Sequence, residues 1–342
     1  MKAKRWVMRD KRHVVVEEFE FDSSPPGPRE VLIEMEYSAV SPGTECANYL
    51  ALDPDVYEPT SWCPYPWQAG YSAAGRVTAV GSDVTEYIVG DRAVGALPHT
   101  SHTRAIVDGQ LAPAHPDVAP EHAAYTLIIA ICTSALQVLR NDNIDPFKTA
   151  GVWGQGTIGN LTAQILQAAG YRTIGIDPVA QRRNLAQACG IGATLDPTRP
   201  DFAARIAEIT NGEGFDVAVD TTGQAPVTIG IPQHIRMRGE MVLMTHWRSQ
   251  PQLDVSPFIH TVFWNGLSVH GAHMRCPGKT PWSDWTALQR RKFGKIGHEL
   301  ATGRINVEPL ISHRVTSEQC KEVYEGLCFD QANWWGAVVD WR

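Results

Sequence analysis

The chain has 342 residues, 43% apolar and 20% charged, enough material for sizeable cores and, by length, for two domains. Its net charge of −7 and lack of a long basic stripe argue against nucleic-acid binding, and no apolar run approaches the roughly 18 residues that suggest a membrane span. Seven scattered cysteines (46, 63, 132, 189, 276, 320, 328) contain no CxxC pair, which points to a reducing compartment, to the cytoplasm by default, and away from a four-cysteine zinc lobe.

The charged N-terminus, with no apolar stretch after it, does not read as a signal peptide. Its basic residues, like Arg290-Arg291-Lys292, read as solvated surface. His13–Glu17 and Glu30–Tyr37 are β-branched runs separated by the Pro25-Pro26-Gly27-Pro28 turn, and Gly75–Gly81 and Asp91–Gly95 are two further Gly-bounded strands. Short strands so punctuated suggest a small antiparallel barrel. From Pro120 to about Arg140 the pattern is helical and apolar. From Thr149 strands (150–153, 173–176, 193–195, 217–220, 240–244, 268–270) alternate with helices (158–169, 180–188, 202–210, 227–236), the signature of a parallel sheet covered on both faces. Ser283–Thr302 and Ser317–Leu327 read as helices, and Ile311–Val315 and Ala337–Trp341 as strands.

The strongest motif is GxGxxG at Gly154, Gly156 and Gly159, placed between a predicted strand and helix. Such glycines allow a tight turn, close approach of a pyrophosphate and close helix–strand packing, with the helix N-terminus favouring phosphate charge. The next strand ends at Asp177, where a carboxylate accepts hydrogen bonds from both ribose hydroxyls of NAD and repels a 2′-phosphate. Arg182 flanks the adenosine ribose in this reading. Arg182 and Arg183 can also bind a 2′-phosphate, so NAD is favoured and NADP is weakened.

With these motifs the chain resembles the medium-chain dehydrogenase/reductase superfamily, zinc-type alcohol dehydrogenase-like. The resemblance is carried by Gly70–Gly81, Val89-Gly90-Asp91-Arg92-Ala93-Val94, Val219-Asp220-Thr221-Thr222-Gly223 and Gly336–Trp341. It implies an α/β fold in which a GroES-like β-barrel catalytic domain (residues 1–131) is joined to a Rossmann domain (132–270), the chain then returning to the catalytic domain (271–342). It also implies an active site in a cleft, cofactor contacts from Thr157, Ile158, Thr222 and Thr245 besides the glycines, a homodimer, and a small-molecule substrate rather than a nucleic acid or membrane partner.

The departures concern metal. Zinc-dependent members carry a Cys ahead of Gly-Thr-Asp and a His-Glu pair after the glycine that is Gly70 here. This chain has Pro42 ahead of Gly43-Thr44-Glu45, and Tyr71-Ser72 after Gly70. Proline has no ligand atom, and hydroxyls are poor zinc ligands, so no zinc is expected. The Ser41-Pro42-Gly43-Thr44-Glu45 form resembles the subgroup that includes bacteriochlorophyllide-type dehydrogenases.

Without metal, hydroxyl or imidazole groups must move the proton that accompanies hydride transfer. Thr44 matches the family's relay hydroxyl. Tyr71 either donates to the substrate oxygen or fills the vacated metal space. His102 and His246 are the histidines best placed to act as acid or base, with Glu45 orienting a neighbour. Trp62, Tyr65, Trp67 and Trp247 are candidate pocket walls. The expected activity is a zinc-independent, NAD(H)-dependent interconversion of a secondary alcohol and its ketone, on a cyclic or polyhydroxylated metabolite. Three rivals stand beside it: an NADPH-dependent enoyl or quinone reductase, a non-catalytic NAD-binding homologue, and a zinc enzyme with ligands drawn from Cys46, Cys63, His99 and His102.

Overall fold

Alternation organises the N-terminal strands of the computed structural model, which describes residues 1–107, 111–140, 147–247, 252–273 and 285–342. In β1 (Lys2–Asp10), Trp6 and Met8 turn into one apolar cluster, Ala3 packs from the opposite face with Phe21 and Leu32, and Lys2, Arg9 and Asp10 face solvent, so the basic start of the chain is a structured strand. It pairs antiparallel with β2 (His13–Glu20). β3 (Glu30–Ala39) runs through the centre of a second sheet, and α1 (Pro42–Tyr49) follows it with proline in its first turn, where a missing N–H costs nothing. β4 (Trp67–Gln68), β5 (Ala73–Val80), β6 (Arg92–Gly95), β7 (His102–Ile106) and β8 (Leu111–Pro113) complete this part.

The helical stretch expected from Pro120 to Arg140 is three short helices: α2 (Pro120–Ala123), α3 (Thr126–Cys132) and α4 (Ser134–Val138). At the breaks Thr126 Oγ1 donates to the Ala123 carbonyl and Ser134 Oγ to that of Ile131, competing with the helical ladder.

The alternating region follows: β9 (Thr149–Trp153), α5 (Thr157–Ala168), β10 (Arg172–Ile176), α6 (Ala180–Ala188), β11 (Ala193–Leu195), α7 (Phe202–Ile209), β12 (Phe215–Asp220), α8 (Ala225–Gly230), β13 (Ile235–Leu243), α9 (Ser256–Asn265) and β14 (Ser268–Gly271). The six strands form one parallel sheet in the order β11-β10-β9-β12-β13-β14. This is the doubly wound arrangement expected, with the strand order reversing between β9 and β12. The helix expected over 227–236 is α8 plus a 3₁₀ turn at Ile231–His234, and β13 begins at Ile235.

The chain then supplies α10 (Trp285–Ala301), β15 (His313–Thr316), α11 (Cys320–Phe329) and β16 (Ala337–Asp340). β16 pairs with β3, giving the sheet order β15-β16-β3-β5-β6-β8, with β7 also on β3. Ser283, where the last long helix was expected to start, Cys276 and the Arg290 side chain lie outside the described residues.

Two compact units result. One comprises Met1–Ala130, Lys279–Gly303 and Leu310–Arg342; the other Ile131–Gly278 and Arg304–Pro309. The core of the first gathers Trp6, Ile33, Met35, Tyr49, Tyr324 and Val339. The second has two cores: Val152, Leu166 and Val219 in one, Ile174, Phe215 and Met241 in the other. No described helix is long and apolar enough to cross a membrane.

Candidate active site

In the second unit the glycine loop leaves β9 and enters α5. Gly154 has φ +87°, and its N–H donates to the Ile176 carbonyl at 2.8 Å, so the loop is fastened to the end of β10. A Cβ on Gly159 would stand 1.8 Å from the Gly154 carbonyl oxygen and 2.6 Å from Thr221 Oγ1, so only glycine permits this packing of α5 on the strand. A Cβ on Gly156 would meet only the Arg182 guanidinium, 3.0 Å away. The loop therefore has an open outer face with a cation beside it, next to the positive end of a 12-residue helix.

Asp177 caps this arrangement. Its Oδ2 accepts the Gln155 N–H and its Oδ1 the Val179 N–H, each at 2.8 Å, and each oxygen keeps a second lone pair. Arg183, considered above as a phosphate ligand, is committed elsewhere: it donates to the Asp177 and Pro178 carbonyls and pairs with Asp196 at 3.2 Å. Arg182 is the cation that stands beside the loop, at Gly156. The residues present fit a dinucleotide.

The ends of β12 and β13 add a second wall. Asp220 Oδ1 accepts from the Thr222 N–H (2.8 Å) and hydroxyl (2.7 Å), and Met244 N–H donates to the Asp220 carbonyl. Thr245 follows, half-buried. His246 is exposed, its Nδ1 3.1 Å from the Trp247 carbonyl. The Trp247 indole N–H donates to Thr228 Oγ1 at 2.9 Å, which ties this rim to α8. Thr157 is buried at the first turn of α5 and Ile158 half-buried.

In the first unit the residues sort differently. Glu45 is fully buried. Its Oε1 accepts the Ser41 N–H (2.8 Å), and its Oε2 accepts the Tyr324 hydroxyl (2.6 Å) and contacts His99 Nε2 (3.0 Å). His99, also fully buried, meets Ser38 Oγ through Nδ1 at 2.7 Å, and Ser38 Oγ accepts the Trp341 indole N–H at 2.8 Å. The tautomer that satisfies every contact carries hydrogen on Nε2, with Ser38 donating to Nδ1. Burial, and then the Glu45 carboxylate, hold the Tyr324 phenol well above its ordinary pKa. Glu45 thus orients His99 and Tyr324 inside the core.

Thr44 lies half-buried in the first turn of α1. Tyr71 lies half-buried between β4 and β5, directly after Gly70. Ser72 is fully buried, and its hydroxyl donates to the Ala124 carbonyl at 2.5 Å. Zinc does not fit positions 42, 71 and 72: one has no donor, one is a phenol and one is a hydroxyl spent on a backbone carbonyl. The rearranged set fares no better, for Cys46, Cys63, His99 and His102 do not converge to coordinating distance.

His102 sits on β7 opposite Glu34, four residues along β3 from Ser38 and so roughly 13 Å away by strand rise. Its ring packs on Phe21, and burial lowers its pKa. It is a sheet residue, apart from the Glu45 network. Of the proposed pocket walls, Trp67 is buried and stacked edge-on by Trp62, while Tyr65 donates its hydroxyl to the Asn48 carbonyl. Sequence reasoning did not single out Tyr324, Ser38 or Trp341, which no motif marks. Nor did it find Asn48, fully buried on α1 with neither amide atom partnered among the described residues.

Two family models match the chain: the alcohol dehydrogenase GroES-like domain at residues 27–114 and the zinc-binding dehydrogenase domain at 157–290. An L-threonine 3-dehydrogenase of Pyrococcus furiosus is 25% identical, covering 93% of this chain and 94% of its own. A D-guloside 3-dehydrogenase of Escherichia coli is 28% identical, covering 86% and 88%. Among solved structures, a 2R,3R-butanediol dehydrogenase of Bacillus subtilis superposes with a TM-score of 0.80 at 20% identity over 99% of each chain. A Sinorhizobium meliloti chain bound to NADP has the same fold, with a TM-score of 0.80 at 19% identity, again over 99% of each chain.

Proposed function

Because this chain belongs to the zinc-type alcohol dehydrogenase-like medium-chain dehydrogenase/reductase superfamily, we propose that it is an oxidoreductase that interconverts a secondary alcohol and its ketone with NAD(H) and without zinc. The observation that carries the cofactor choice is Asp177, a carboxylate fastened to the glycine loop with free lone pairs where a ribose would lie. The threonine, guloside and butanediol dehydrogenases among the relatives are named for oxidation at secondary carbinols, which supports the substrate class. A bound nicotinamide supplies the hydride acceptor or donor.

The chain's own groups have separate tasks in this reading. The loop amides and the α5 N-terminus hold the pyrophosphate, and Arg182 adds positive charge there. Thr222 and Thr245 flank the cofactor at the ends of their strands. Thr44 and Tyr71 offer hydroxyls that hydrogen-bond the reacting oxygen and pass its proton onward. His246, exposed after the end of β13, is the second unit's candidate acid or base.

A second reading, an NADPH-dependent reductase of activated double bonds, is favoured by Arg182 beside Gly156. Titration with NADH and NADPH, followed by nicotinamide fluorescence, separates the two. At least tenfold tighter binding of NADH is expected, and a preference for NADPH overturns the first reading. Metal analysis of protein purified without added zinc is expected to find far less than one zinc per chain; stoichiometric, tightly held zinc refutes the zinc-free assignment.

We also propose a homodimer. α9 turns Phe258 and Val262 into the unit but leaves Ile259, Phe263 and Trp264 exposed, in a unit whose sheet ends in the open edge strand β14.

A further inference from the structure

We propose that the buried His99–Glu45 pair is a positioning strut that holds the Thr44 segment and the Tyr71 segment in register, a task that falls to a shared metal ion when both segments carry ligands. The inference rests on the zinc-free reading above.

The strut touches both segments. Glu45 is the residue after Thr44, and by accepting the Ser41 N–H it closes the first turn of α1. At the other end, the His99 N–H donates to the Ala69 carbonyl at 2.9 Å. The His99 ring lies so close to Gly70 that a Cβ there would stand 2.4–2.6 Å from three ring atoms. Gly70, at φ +85°, is followed at once by Tyr71. The ring cannot rotate freely: Ser38 holds Nδ1, Glu45 holds Nε2, and Trp6 packs edge-on at 5.0 Å. Moving the imidazole therefore moves the Gly70–Tyr71 backbone, and moving the carboxylate moves the turn that carries Thr44.

Apolar side chains of equal volume would fill this space at similar or better stability. What a hydrogen-bonded network adds is direction, because each contact fixes an angle as well as a distance. Ser38, Glu45 and His99 are all closed to solvent, so water cannot substitute for a lost partner.

The test places 3-fluorotyrosine at position 71 of the full, cofactor-free chain and compares ¹⁹F spectra of the parent, Glu45→Gln, His99→Gln and a remote core control, Val31→Ala. The two strut variants are expected to shift or broaden the Tyr71 resonance by more than its linewidth, with NADH affinity within about twofold of the parent. Val31→Ala, chosen to lower the melting temperature comparably, should leave the resonance in place. The proposal is overturned if the strut variants leave the resonance unmoved, or if the control moves it as far. If neither strut variant folds, Tyr324→Phe removes one donor to Glu45 and gives a graded perturbation read in the same way. Zinc content of the parent sample is measured separately, so an error in the zinc-free reading is told apart from an error about the strut.

Discussion

Asp177 is tied to the loop it serves: its Oδ2 accepts the Gln155 backbone N–H at 2.8 Å, so the acid that ends β10 and the glycine turn that ends β9 form one rigid piece. In the proposed reading, the carboxylate that meets the ribose is thereby set in place before the dinucleotide arrives, which lowers the ordering cost of binding.

Asp177→Asn keeps the size of the side chain but removes the charge and one acceptor. A hydrogen bond to a charged group contributes ~1.5–3 kcal/mol, so NADH affinity should fall on the order of ten- to a hundredfold. NADPH affinity should hold or rise. Fluorescence titration of both nucleotides checks the pair of outcomes; an equal loss for both would mean that Asp177 only braces the loop.

Gly159→Ala places a methyl group against the Gly154 carbonyl, a backbone atom that cannot swing aside. The expected cost is at least ~1–3 kcal/mol of stability, together with loss of NADH binding. Gly192→Ala, where a Cβ meets nothing within 4 Å, is the matched control and should be near neutral. Thermal melts and titration of the two variants side by side provide the comparison.

Tyr324 predicts a limit at high pH. Its pKa is raised on folding, so the protonated phenol is the form the native state favours. The stability this contributes is complete below the ordinary phenol pKa of about 10 and is lost as pH climbs beyond it. Denaturant melts of the parent from pH 8 to 11 should show that decline. Tyr324→Phe should be less stable at pH 8 and should show a shallower decline above pH 10; parallel curves would assign the alkaline loss to other groups, such as Tyr49 and Tyr65, whose phenols are also raised by burial.

The exposed face of α9 predicts an assembly. Changing both Phe263 and Trp264 to Glu should convert a dimer to a monomer in sedimentation at micromolar concentration, without lowering the melting temperature of the second unit's core. An unchanged mass, or a monomeric parent, would rule out α9 as the contact between copies.

Much of this was written in local pattern. The parallel sheet, its glycine loop and the acid at the end of the next strand are legible because each depends on residues close in sequence: short apolar runs alternating with helical segments, a fixed glycine spacing, one carboxylate at a strand end. The departures at Pro42, Tyr71 and Ser72 are legible for the same reason, since a ligand atom is either present in a residue type or it is not. β1 is hidden in the sequence because its lysines and arginines surround the short buried stretch Trp6-Val7-Met8, and α1 because its first turn reads as a motif before it reads as a helix.

The rest was decided by contacts between residues far apart in the chain. Nothing near Glu45 in sequence announces His99, and nothing near either announces Tyr324 or Trp341; β16 and α11 bring these groups to β3 and α1. The fate of His102 was likewise set by strand register, which places it opposite Glu34 and against Phe21. Periodicity tells which side of an element is buried, but the partner across a core is chosen by packing and hydrogen-bond satisfaction among elements the sequence does not place next to one another. For this protein, composition and motif determined the chemistry available, and tertiary structure alone determined that its buried acid and imidazole face each other.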